Sequence, residues 1–134
     1  MSLATGARGT VSAVVTEADT ALAAGSGDVP VLATPRLLAL AEAATVAAIA
    51  PHLARGQTSV GTAVHIEHRR ATPVGAQVTA DAELTSVDGP RLTFSVTARH
   101  VVGSAGGEPG DVIAAGTVER AVVDRARFLA RLTG

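Results

Sequence analysis

Thr34-Pro-Arg-Leu-Leu-Ala-Leu-Ala-Glu-Ala-Ala-Thr-Val-Ala-Ala-Ile-Ala50 is the stretch whose reading decides the fold. It predicts a helix from about Pro35 to Ala50. Thr34 suits the N-cap, and Pro35 suits the first helical position, where its missing N–H costs nothing. Pro51 and Gly56 mark the end. Only Arg36 and Glu42 carry charge along this length. At roughly 100° per residue, Leu38, Glu42, Thr45, Val46, Ile49 and Leu53 share one side, and the other side is mostly Ala. A helix apolar all round is a buried helix, and a thin Ala face suits close approach to a curling sheet.

Strand patterns surround this helix. Residues 9–16 are β-branched and read as a first strand, with 23–30 as a flexible connector. Ser59 to Arg70 and Ala76 to Val87 follow, separated by a Thr72-Pro-Val-Gly75 turn. Asp88-Gly89-Pro90 turns the chain into Arg91 to Val102. A Gly-rich loop, Gly103 to Gly110, leads to a strand from Asp111 to Asp124. A short amphipathic helix, Arg125 to Leu132, closes the chain. The order predicts an α+β domain, with one long helix covering a five-stranded antiparallel sheet joined mainly as a meander.

The length of 134 residues fits one domain spanning 1–134. Met1-Ser2-Leu3 has no basic n-region followed by an apolar run and is compatible with an expression scar. No stretch of about 18 apolar residues lacks a charge, so no membrane helix is expected. With no cysteine there is no disulfide framework or thiolate zinc site. The expected location is cytoplasmic. The eleven basic residues are all Arg and mostly scattered, and Phe94 and Phe128 are the only aromatics. A nucleic-acid partner is therefore not expected. A core rich in Ala, Val and Leu fills space by close backbone approach and by association between subunits.

Three side chains look chemical. Glu42 lies on the apolar stripe, where a carboxylate is disfavoured unless paired, hydrogen-bonded or neutralised. A structural Glu bonded to a backbone group or an Arg would also satisfy that demand. In the strand after the helix, Val60, Thr62, Val64, Ile66 and His68 point one way, which puts His68 at the rim of the core. A core-edge histidine with a satisfied ring nitrogen is the plainer alternative. Thr34 needs no purpose beyond capping. His65-Ile66-Glu67-His68 invites a metal, but His68 faces away from the other two and a third ligand is not evident. Neither metal nor cofactor is expected. The Gly-rich loop lacks the Lys and the strand–loop–helix setting of a phosphate loop.

Ala33-Thr34-Pro35, Leu40-Ala-Glu42-Ala43, Gly56-Gln-Thr-Ser-Val-Gly61-Thr62, His68-Arg-Arg-Ala-Thr-Pro73 and Gly116-Thr-Val-Glu119-Arg120 together resemble the fluoroacetyl-CoA thioesterase family of hot-dog proteins. The resemblance runs from about Val31 to Leu132. It implies a hot-dog fold and hydrolysis of a short acyl-CoA thioester. It places the family's Thr, Glu and His triad on Thr34, Glu42 and His68, its site glycine on Gly61 and its site arginine on Arg120. The family member that hydrolyses fluoroacetyl-CoA has a phenylalanine-bearing lid ahead of the helix. Here that segment is Gly25-Ser-Gly-Asp-Val-Pro30, without an aromatic, so a different short acyl group is expected.

Thr34 and Glu42 would lie roughly 12 Å apart along one straight helix. Either Thr34 folds back or the site combines residues of two subunits. The resemblance implies the second, since hot-dog relatives place their sites at the dimer interface, so a homodimer or a dimer of dimers is expected. Arg69, Arg70 and Arg55 are candidates for CoA phosphates. A non-catalytic acyl-CoA binder and a hot-dog hydratase or dehydratase are the competing readings.

Overall fold

Small residues let the long helix lie close against the sheet. In the computed structural model, which describes residues 3–101 and 109–133, that helix (α2) spans Thr34–Ile49 and continues as a 3-10 turn over Ala50–His52. Leu37, Ala41, Ala44, Thr45, Ala48 and Ile49 form its buried face. The first strand, β1 (Arg8–Val14), passes so near that a side chain on Gly9 would run into the Ala44 carbonyl and the Ala48 amide. The expected Ala face is therefore the packing face.

The helix is not buried all round. Leu38 and Glu42 are partly exposed and Val46 is 45% exposed, so the flank that carries the carboxylate lies open in the single chain. Its start also differs from expectation. Ala33, not Thr34, is the N-cap, and Pro35 falls one position later than anticipated. Ala33 is fixed there by its N–H on the Asp19 carbonyl at 2.8 Å, so the helix begins one residue early.

The remaining strands are β2 (Gln57–His68), β3 (Gln77–Asp88), β4 (Arg91–Val101) and β5 (Pro109–Asp124), all antiparallel to their neighbours. The sheet order is β1-β3-β4-β5-β2. The meander holds for β3, β4 and β5 only. β2 pairs with β5 at one edge, because residues 69–76 carry the chain across the sheet end. That crossing bonds to β5 at Ile113, to β4 at His100 and to the end of β1 at Val15. Phe94, Leu84, Leu92, Ile113, Val78 and Val118 fill the core beneath the helix.

The expected connector 23–30 starts with a helical turn, α1 (Ala21–Ala24), closed by Gly25 at φ +71°. The terminal helix α3 (Arg125–Thr133) forms as anticipated. Most of the Gly-rich loop lies outside the described residues.

Candidate active site

A bulge in β2 decides which side chains face the helix. The β2–β5 register shifts between Gly61 and Ala63, leaving Thr62 as the extra residue. An extra residue moves everything before it to the opposite face. Val64, Ile66 and His68 face inward as expected. Ahead of the bulge, Ser59 and Gly61 take the inward positions that simple alternation assigns to Val60 and Thr62.

Glu42 lies against this inward corner. Its Oε2 accepts from Nη1 of Arg120 at 3.1 Å. Arg120, on β5 and nearly fully buried, also donates from Nε to Ser59 Oγ at 2.9 Å and from Nη2 to the Ser59 carbonyl at 3.2 Å. Ser59 was not anticipated as a site residue, since the bulge hid its place beside Gly61. The missing side chain of Gly61 has a direct cause: a Cβ there would collide with the Glu42 carboxylate and sit 3.6 Å from Arg120 Nη1. Among the described residues Glu42 Oε1 has no partner, and the side chain is 33% exposed. The Arg-bonded structural reading is thus met by one oxygen alone.

The second half of the site is the Thr34 hydroxyl, which lies 2.8 Å from His68 Nδ1. Because Thr34 is inside the helix rather than its cap, its hydroxyl is free for the imidazole. Burial pushes the His68 pKa below the ordinary imidazole value, partly opposed by the Arg70 backbone, whose carbonyl favours the protonated ring. His68 Nε2 is buried without a partner among the described residues. The pair borders an open cleft of about 320 Å³ lined also by Ser26, Gly27, Asp28, Val29 and Leu32, so the segment ahead of the helix forms part of its wall. Arg69 and Arg70 reach the same cleft, paired with Glu67 at 3.5 Å and Asp111 at 2.7 Å. His65 and Glu67 lie exposed on the outer face, away from His68.

Thr34 and His68 are therefore together, and Glu42, Gly61 and Arg120 are together, but no hydrogen bond joins the two groups among the described residues. A change at the second group shows how tightly it is built. Gly61→Ala should fold with a similar Tm, because the flexible carboxylate can swing away. If Glu42 is a reacting group, kcat should fall by at least about tenfold, since a displacement of about an ångström costs that much or more. Steady-state kinetics beside a thermal melt checks both halves.

Residues 15–126 match the family model described as fluoroacetyl-CoA-specific thioesterase (FlK). A fluoroacetyl-CoA thioesterase of Streptantibioticus cattleyicolor is 43% identical over 102 residues, covering 76% of this chain and 68% of that one. A solved structure of the fluoroacetyl-CoA thioesterase FlK superposes with a TM-score of 0.86 at 37% identity, covering 99% of this chain and 97% of the other. A hot-dog-like protein from Thermanaerovibrio acidaminovorans shares the fold, with a TM-score of 0.80 at 22% identity over 96% of this chain and 89% of its own. With the sequence match spanning most of the chain and the helix held in its curled sheet, this protein belongs to the fluoroacetyl-CoA-specific thioesterase family, within the hot-dog thioesterases.

Proposed function

We propose that this chain hydrolyses a short acyl-CoA thioester to the free acid and CoA, at a site completed by two copies of the chain. The observation that carries the reading is the Glu42 carboxylate. One oxygen is held by a buried guanidinium and the group lies over a glycine on an open helix flank. Glu42 acts as general base on water, or attacks the carbonyl to form an anhydride that water then opens. Burial disfavours the charged form of His68, so the imidazole can accept a proton and return it to the leaving thiolate. Thr34 orients that imidazole through Nδ1. Gly61 leaves room for the acyl carbonyl at a backbone N–H, which steadies the oxyanion. Arg120 orients Glu42. Solved structures of FlK variants hold acetyl-CoA in one case, and fluoroacetate with CoA in another.

Two features support a homodimer. β2 is a twelve-residue edge strand whose outer side has no partner among the described residues, and the adjoining helix flank leaves Val46 uncovered. Long open edges are templates for pairing with another strand. If two copies of β2 pair antiparallel about a two-fold axis through His65, the extra residue at Thr62 brings Gly61 opposite the partner subunit's His68. Glu42 would then meet the imidazole it does not reach in its own chain.

The test is thiol release from a panel of short acyl-CoAs, read with a colour reagent. Turnover above background is expected, with no large preference for fluoroacetyl-CoA over acetyl-CoA, because the segment lining the cleft ahead of the helix has no aromatic side chain. Absence of turnover across the panel would favour a non-catalytic binder. Loss of the double bond from an enoyl-CoA would favour a hydratase.

A further inference from the structure

The Thr34–His68 bond joins two segments that reach it from different parts of the fold. Residues 31–33 lead into α2, and residues 69–73 leave β2. Apart from that bond, among the described residues the backbone links these segments only at Thr72 and Pro73. The Thr72 carbonyl accepts the Leu32 N–H at 2.8 Å, and Pro73 forms an isolated bridge with Val31. Thr72 is fully buried although polar. Its hydroxyl shares a 2.7 Å hydrogen bond with Nε2 of His100, on β4. A buried hydroxyl is tolerated when it is bonded, and this bond reaches from the crossing segment into the rigid sheet. Neither Thr72 nor His100 lines the cleft.

We propose that Thr72 and His100 are positioning residues: their hydrogen bond anchors 69–73 to the sheet, and through Leu32 sets the Thr34 hydroxyl against His68 Nδ1. The role rests on the thioesterase reading given above, because it acts through that pair. Thr72→Val keeps the shape and removes the hydroxyl, while Thr72→Ser keeps the hydroxyl. Thr72→Val should lower kcat about tenfold with KM changed less than about twofold, and Thr72→Ser should retain the parent rate. In a Thr34→Ala background Thr72→Val should cost nothing more, since residues acting through one contact are not additive. The 15N signal of His68 Nδ1 should move in Thr72→Val and in His100→Leu but not in Thr72→Ser. That NMR measurement decides the proposal even if no acyl-CoA is turned over, which would be the failure of the thioesterase reading instead. His100→Leu supplies the same test should Thr72→Val fail to fold. The proposal is overturned if the Nδ1 signal stays in place in the variant that folds. Equal costs of Thr72→Val with and without Thr34 would also overturn it.

Discussion

Glu42→Gln is expected to lower kcat by at least about a hundredfold while leaving Tm near that of the parent protein, as removal of an acid–base group does. The choice of Gln follows from the geometry. Its amide oxygen can still accept from Arg120 Nη1, so the buried guanidinium keeps its partner. Glu42→Ala would confuse the result, because removing one partner of a buried pair costs about 3–5 kcal/mol. The one-third exposure of the Glu42 side chain places that cost toward the lower end. What Gln cannot do is take a proton from water or attack a carbonyl. Kinetics on the best acyl-CoA of the panel, with a melt of each protein, separates the two effects. A folded variant with a near-parental rate would make Glu42 a structural partner of Arg120 and nothing more.

His68→Ala should cost at least about a hundredfold in kcat as well. The parent enzyme should carry a matching signature in its pH profile. Burial lowers the His68 pKa in the folded state, so the imidazole stays uncharged until the pH falls below the ordinary imidazole value. Burial alone sets the acid limb of kcat below that value, and the partner subunit's Glu42, brought to the imidazole in the proposed dimer, draws it back up. The stability consequence has the same sign. The unfolded chain takes up the proton more readily, so folding weakens as the pH falls through the unfolded value toward the folded one. An unchanged rate in His68→Ala would remove the imidazole from the mechanism.

How much of this was legible depended on whether the pattern is local. The helix was, because Ala41, Ala44 and Ala48 recur at helical spacing and Gly9 answers them from the sheet. The hairpin was too, since Asp88-Gly89 supplies the positive φ that Gly89 adopts, +58°. The β2 bulge was not, because one extra residue at Thr62 alters no composition while it reverses the faces of Ser59 and Gly61. The edge position of β2 was also hidden, being set by how residues 69–76 cross the sheet end. Thr34 fits a cap and a first-turn position equally well by residue type. Only the Asp19 carbonyl, distant in sequence, places the helix start one residue earlier. Gly61 and Arg120 came from the family resemblance, and the coordinates add the reason they accompany Glu42. The exposed flank of α2 was misjudged because its apolar composition is that of a core.

The most direct test is to mix Glu42→Gln with His68→Ala and let the subunits exchange. If each site takes its glutamate from one chain and its imidazole from the other, every mixed dimer regains one intact site. An equimolar mixture should then recover roughly a quarter of the parent activity, as random pairing in a two-fold dimer requires. A mixture that exchanges subunits yet stays as inactive as its parents would contradict a site shared between two chains.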